Sequence, residues 1–153
     1  MPIASIFRGL GNKIYDHAFP LYRFGYGAFK VCVDHAERRL LKNILSDGAV
    51  VVDAGANIGV YSQFLSHCVG PTGAVHSFEP SPENFKRLES AVRRYTNVRV
   101  SNAAVGEYSG RSKLYVSDKL NVDHRTYPIE GDSRPAVPID SIALDATSLE
   151  KPN

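Results

Sequence analysis

Cysteine is scarce. The 153 residues hold two, Cys32 and Cys68, too few for a disulfide framework and without metal-ligand spacing, so both read as reduced thiols. Long apolar runs are missing as well. The longest is Ala49 to Val52, far short of the ~20 residues of a membrane-spanning helix, so no transmembrane segment is predicted. No basic-then-apolar stretch ending in small residues opens the chain, and a cytoplasmic location is the expectation. Charge of one sign is lacking too: 18 Lys and Arg stand against 16 Asp and Glu, a net +2 that selects no partner. With 43% hydrophobic and 22% charged residues the chain can build a core and is not a disordered one. One domain is expected at this length.

Charge and aromatics are nevertheless uneven. Residues 1–46 carry seven bases against three acids, a balance of +4, and the remainder carries −2. Seven of the fifteen aromatics fall in the first thirty residues. Basic and aromatic side chains together suit a membrane surface or an anionic partner. The simpler reading is an N-terminal extension, residues 1–33, whose rings pack on the domain, because Gly9, Gly11, Pro20, Gly25 and Gly27 should interrupt any long amphipathic helix.

From residue 34 the pattern sharpens. Asp34 and Glu37 have capping-box spacing, and Ala36, Leu40, Leu41, Ile44 and Leu45 share one helical face up to the stop at Asp47-Gly48. Ala49 to Val52 has no polar alternation and reads as a strand buried on both faces, as in a parallel sheet covered by helices. A glycine-containing turn leads to a helix with Ile58, Tyr61, Phe64, Leu65 and Cys68 inward, then to a second strand, Ala74 to Phe78. Ser81 is a good N-cap and Pro82 a good first residue for the next helix, with Asn97 as its end and Val98-Arg99-Val100 opening a third strand. Strand, helix, strand, helix, strand is the grammar of a doubly wound α/β sheet, and right-handed crossovers give the strand order three, two, one. Beyond it, Gly106 to Val116 reads as a hairpin turning at Ser109-Gly110, residues 117–134 as an exposed loop, and Ala136 to Ile139 as an edge strand because Pro138 lacks an N–H.

Chemistry concentrates in Asp53-Ala54-Gly55-Ala56-Asn57-Ile58-Gly59. Gly55 lets the chain turn sharply and admits a ligand near the main chain, and the following helix offers N–H groups to it. Glu79 ends the next strand, twenty-four residues after Gly55, and in dinucleotide folds an acid about 20 residues on binds ribose hydroxyls. Both features lie at carboxyl ends of strands, where open α/β sheets bind ligands, and together they indicate a nucleoside. A nicotinamide fingerprint fails, since the positions of its second and third glycines hold Asn57 and Val60. A nucleotide-phosphate loop fails for want of Gly-Lys-Ser or Gly-Lys-Thr. Asp53 would repel a pyrophosphate but attract an ammonium. S-adenosyl-L-methionine has a ribose, an α-ammonium and no phosphate.

Three blocks carry a resemblance: Val51 to Gly59, Phe78-Glu79-Pro80-Ser81-Pro82-Glu83-Asn84-Phe85, and Asn102-Ala103-Ala104-Val105-Gly106. In order and spacing they are similar to the FkbM-type family of S-adenosylmethionine-dependent methyltransferases, from about Glu37 to Leu144. The resemblance implies a Rossmann-like fold of the class I methyltransferase type and methyl transfer to a hydroxyl of a sugar, glycan or secondary metabolite. It implies a cofactor site of Asp53, Gly55, Ala56, Asn57 and Gly59 on the methionine side, Glu79 and Pro80 at the ribose, and Asn102 toward the adenine. Family members continue into a fourth strand ending in an Ile-Asp-x-Glu-Gly-like motif, which is absent here. Residues 34–144 are therefore read as a partial domain of three parallel strands and a hairpin, and residues 145–153 as a truncated tail. The first strand would then be an open edge inviting self-association.

No catalytic base is assigned. Asp123 and His124 lie in the loop after the hairpin within reach of a substrate, but a solvated polar loop is the simpler reading; Tyr61 follows the cofactor turn and could border the methyl group, although its helical phase also suits the core. His17, His35, His67 and His76 show no metal or triad spacing, so no metal is expected. Arg93, Arg94 and Arg99 lack an aromatic platform beyond Tyr95 and read as a solvated helix end rather than a nucleic-acid surface. Taken singly, Asp53 could merely cap a helix, Gly55 and Gly59 could serve packing, and Glu79 could be a surface acid; their joint position at two strand ends favours the cofactor. A non-catalytic assembly module pairing through its open edge and a nicotinamide-dependent oxidoreductase are the alternatives.

Overall fold

The computed structural model describes residues 18–116, 124–127, 134–146 and 149. Two compact units divide the chain, residues 1–43 and 44–153. The first carries helix α1 (Phe19–Val33) and all but the last residue of helix α2 (His35–Ile44). Asp34 breaks the two at the place its spacing to Glu37 predicts. Its N–H donates to the Lys30 carbonyl at 2.9 Å, its own carbonyl accepts the Arg38 N–H at 2.9 Å, and its carboxylate pairs with Lys30. The expected interruption by glycine does not occur: Gly25 and Gly27 lie inside the 15-residue α1, and Pro20 falls in its first turn. Each internal glycine costs a helix only about 1 kcal/mol, and a first-turn proline forfeits no helical hydrogen bond. Gly9 and Gly11 lie outside the described residues. In α2 no residue is buried, and Leu40 and Ile44 of the expected apolar face are exposed. Among the described residues no helix is long and apolar enough to cross a membrane.

The second unit opens on three parallel strands, β1 (Val50–Ala54), β2 (Ala74–Phe78) and β3 (Val98–Ser101), in the spatial order β1-β2-β3. The expected order is thus found. Helix α3 (Val60–Val69) packs on β1 and β2, and helix α4 (Pro82–Val92) on β3 and α3, giving an α/β, Rossmann-like unit. All five residues of β2 are buried because strands flank it on both sides. β1 is only half-buried, with Val50 41% exposed, since among the described residues no strand lies on its other side. Its run of valines stands at the edge of the three-stranded sheet, as expected of the first strand, but is less covered than a strand buried on both faces.

Helix α4 meets the β1 turn and β3 in an apolar cluster of Ala56, Leu88, Ala91 and Val92, with Val98 and Val100 packed against it. The N-cap reading of Ser81 holds, its hydroxyl accepting the Asn84 N–H at 3.5 Å. Helix α4 stops at Val92, before the expected end at Asn97, which has another role. Buried, it accepts the Ser66 hydroxyl at 2.6 Å and donates to the carbonyls of Ser66 (3.0 Å) and Gly70 (2.8 Å), tying the entrance of β3 to the end of α3.

The hairpin expected over residues 106–116 is not formed. Strands β4 (Ala104–Val105) and β5 (Gly110–Tyr115) do not pair with each other; β6 (Ala136–Ile142) lies between them, parallel to β4 and antiparallel to β5. The Ser109 hydroxyl accepts the Ala143 N–H at 3.0 Å and the Gly106 N–H reaches the Ile142 carbonyl at 3.0 Å, so the turn residues close on a strand thirty residues later. Gly106 is needed there: a Cβ would stand 2.5 Å from the Ser141 hydroxyl. β6 is accordingly central in its sheet, but β4 reaches only Ser141 and Ile142, leaving Pro138 with a neighbour on the β5 side alone. That half-edge position accommodates a residue without an N–H. Leu144–Ala146 form a short 3₁₀ turn.

Candidate cofactor-binding site

The parallel register sets Ala54 of β1 beside Phe78 of β2, so the turns leaving both strands emerge side by side. The β1 turn folds against β2 through its backbone. Gly55 and Ala56 both donate N–H to the Phe78 carbonyl, at 2.9 and 3.0 Å, and Gly59 donates to Ala56 at 2.9 Å. Gly55 (φ 80°) and Asn57 (φ 51°) take left-handed conformations, which glycine adopts freely and asparagine tolerates better than most side chains. Gly59 (φ 83°) is different in its neighbours: a Cβ would stand 2.9 Å from Leu88 Cδ1 and 3.3 Å from Val92 Cγ1, whereas one on Gly55 would meet nothing. Gly59 serves helix packing and Gly55 faces space.

Glu79 is the junction. Its Oε2 accepts the Asn57 N–H at 2.8 Å and its Oε1 accepts the Ser81 N–H at 2.9 Å, so one carboxylate clips the β1 turn to the β2 turn. The Asn84 side chain also bonds to it, and the Asn102 amide donates to the carbonyls of Glu79 (2.7 Å) and Pro80 (3.3 Å) from the β3 side. Burial pushes the Glu79 carboxyl above its ordinary value; the N–H groups of Ser81 and Asn57 and the Asn84 side chain oppose the rise, and the negative charge of Asp53 adds to it. Asp53 is raised as well, by burial, against a 2.7 Å bond from the Ser62 hydroxyl to its Oδ2.

Beside this junction opens a cleft of about 470 Å³. Of the residues expected at a cofactor, Gly55, Asn57, Glu79 and Pro80 line it. The other four do not. Asp53 turns its carboxylate to Ser62 at the start of α3, Ala56 and Gly59 are buried in the packing of α4, and Asn102 braces Glu79 and Pro80 from outside. The remaining wall comes from Ala54 and Asn84, from Ala104 and Val105 of the third resemblance block, from His124, and from Leu114, Arg125, Thr126 and Tyr127, which no local pattern singles out. His124 thus reaches the cleft, while Asp123 lies outside the described residues. The pairing of β6 with β4 and β5 brings segments far apart in sequence to this wall. Among the described residues no cluster of His, Cys, Asp or Glu could hold a metal ion.

The N–H groups of Gly55, Ala56, Asn57 and Gly59 are engaged within the protein, and both the Glu79 carboxylate and Arg125 line the cleft. Glu79 retains lone pairs beyond its two backbone bonds, since a carboxylate offers about four acceptor positions. In the cleft Glu79 suits a ligand with hydroxyl donors.

Comparison with known proteins agrees. The family described as Methyltransferase FkbM domain matches residues 53–151. A curated relative, the 31-O-demethyl-FK506 methyltransferase FkbM of Streptomyces tacrolimicus, is 43% identical over 71 residues, covering 46% of this chain and 27% of the relative. The chain therefore spans about a quarter of the length of that relative. Among solved structures, Methyltransferase FkbM from Methylobacillus flagellatus KT aligns over 71% of this chain and 25% of its own, with 23% identity and a TM-score of 0.46. A SAM-dependent methyltransferase from Aquifex aeolicus aligns over 44% and 37%, with 29% identity and a TM-score of 0.41. On the match that spans most of its length, the chain belongs to the FkbM methyltransferase domain family.

Proposed function

We propose that the cleft binds S-adenosyl-L-methionine and that the protein transfers a methyl group to a hydroxyl of a sugar, glycan or secondary metabolite, in the cytoplasm. One observation carries the cofactor half: an acid in the cleft beside a turn whose N–H groups are already engaged. A nicotinamide dinucleotide would bring a pyrophosphate to a turn whose Gly55, Ala56, Asn57 and Gly59 N–H groups are already taken, beside the carboxylates of Asp53 and Glu79. A sulfonium nucleoside brings ribose hydroxyls, for which Glu79 is an acceptor, and positive charge, for which Asp53 and Glu79 are a favourable field. The resident chemistry of that cofactor is an electrophilic methyl group on sulfur. In this reading Gly55 and Asn57 shape the methionine end, Glu79 and Pro80 hold the ribose, and Asp53 acts from behind the turn as a charge. The hydroxyl acceptor is the reading that the relative's name, a 31-O-demethyl-FK506 methyltransferase, supports. The protein's task is then to hold donor and acceptor in line.

Calorimetric titration tests it. S-adenosylmethionine and its demethylated product are expected to bind and oxidised nicotinamide dinucleotide is not. Binding of the dinucleotide alone would replace this reading with an oxidoreductase.

A further inference from the structure

Five of the eight large hydrophobic side chains that stand exposed among the described residues lie between Phe29 and Ile44: Phe29, Val31, Val33, Leu40 and Ile44. Single exposed apolar residues are ordinary on a protein surface, but such crowding in two adjoining helices marks an interaction surface. Helix geometry orders them. On α2, Ala36, Leu40 and Ile44 follow at four-residue steps, line one face and are all exposed, Leu40 by 60% and Ile44 by 64%. Arg38, Arg39 and Lys42 fall on the other side. Glu37 is the helix's only acid, so α2 carries three bases against one acid, a balance of +2. Near the end of α1, Phe29 and Val33 make a second four-residue step, 60% and 59% exposed, and Lys30 beside them is paired with Asp34. The net positive charge therefore belongs to α2.

A helix with no buried residue, apolar along one side and basic along the other, has the composition of an element that lies in a membrane interface. The glycines expected to break such a segment do not interrupt α1. Charge decides among the possible occupants. A nucleic acid would answer the bases and leave the apolar row in water. A second copy of the chain would cover the row but set like charges against each other. An anionic phospholipid surface answers both, with phosphates for the bases and hydrocarbon just below them for the apolar row.

We infer that α2 lies flat on a bilayer rich in anionic phospholipid, with Leu40 and Ile44 in the headgroup layer and Arg39 and Lys42 at the lipid phosphates, and that Phe29 and Val33 extend the apolar contact. None of these residues lines the cofactor cleft, so the inference does not depend on the functional reading above.

Cosedimentation of the whole chain with vesicles tests it. Saturable binding is expected to vesicles of phosphatidylglycerol and phosphatidylcholine, with very little to phosphatidylcholine alone and a fall at high salt as the charges are screened. Arg39→Gln should bind the anionic vesicles about fivefold more weakly, the worth of one base near such a surface. Leu40→Ser should lose about tenfold, the scale of one newly buried leucine. Both side chains are exposed, so the melting of both variants should match the parent. The 153 residues contain no tryptophan, so emission from Leu40→Trp reports on this position alone, and a blue shift is expected on anionic vesicles. Failure to bind anionic vesicles overturns the inference. Binding with the emission unshifted, or with Leu40→Ser equal to the parent, overturns it as well, since that is the behaviour of a charge-only site for polyanions such as nucleic acid. A concentration-dependent dimer that Leu40→Ser dissolves, with vesicles ignored, gives the apolar row to a second copy and overturns it too.

Discussion

Removing the Glu79 carboxylate should damage the fold before it touches any chemistry. In Glu79→Ala the N–H groups of Asn57 and Ser81 lose the oxygens that hold them at 2.8 and 2.9 Å. Glu79 is 5% exposed, so water does not simply take over. A buried donor left without an acceptor costs about 1–3 kcal/mol, and two of them about 2–6 kcal/mol. Part of this is returned, because the carboxylate is itself held above its ordinary pKa by burial and its removal relieves that desolvation. A net loss of about 2–4 kcal/mol is expected, which for a unit of this size is a fall of roughly 5–15 °C in Tm. Glu79→Gln keeps one acceptor oxygen and turns an amide N–H₂ toward the other donor, so it should lose about half as much. Urea unfolding followed by far-UV circular dichroism at neutral pH measures both. A midpoint for Glu79→Ala indistinguishable from the parent, or a Gln variant as damaged as the Ala variant, would refute the clip.

Other consequences separate packing from binding. Gly59→Ala should cost about 2–4 kcal/mol, from a left-handed φ plus a Cβ 2.9 Å from Leu88, whereas Gly55→Ala carries only the backbone strain of about 1–2 kcal/mol and should weaken ligand binding instead; thermal melts and calorimetry distinguish the two. Leu88→Ala, in the fully buried centre of the α4 cluster, should lose about 2–5 kcal/mol with ligand affinity unchanged once folded. Stability and affinity should also respond oppositely to pH. Asp53 and Glu79 titrate above their ordinary 3.8 and 4.5, so ionising them costs the folded state more than the unfolded one. Their contribution to stability is therefore most favourable at acid pH and is lost as pH rises from those ordinary values through the raised ones. Affinity for a cationic, hydroxyl-bearing ligand instead falls as pH drops through the raised values, beginning earlier than ordinary carboxylates would give; calorimetry over a pH series follows it, and a flat affinity down to the ordinary values would contradict the field.

The parallel sheet was legible because its signals are local. Valine runs, the Ser81-Pro82 helix start and the glycine turn each lie within a few residues, and the chirality of crossovers supplies the strand order. Glu79 was legible for the same reason, as the residue that follows a short buried strand. What stayed hidden depends on partners distant in sequence. The Ser109-Gly110 turn looks like a hairpin until β6 supplies a better partner, and nothing near Leu114 or Tyr127 announces a cleft. Asp53 illustrates a subtler limit: its place at the strand end was readable, but its rotation toward Ser62 rather than into the cleft depends on side-chain packing.

The most direct test of the central claim is to map, by amide chemical-shift perturbation, where S-adenosylhomocysteine binds. Shifts concentrated at Gly55 to Asn57, at Glu79 and Pro80, and at Ala104 and Val105 are predicted. Saturable binding that leaves those amides unmoved and perturbs another surface would contradict it.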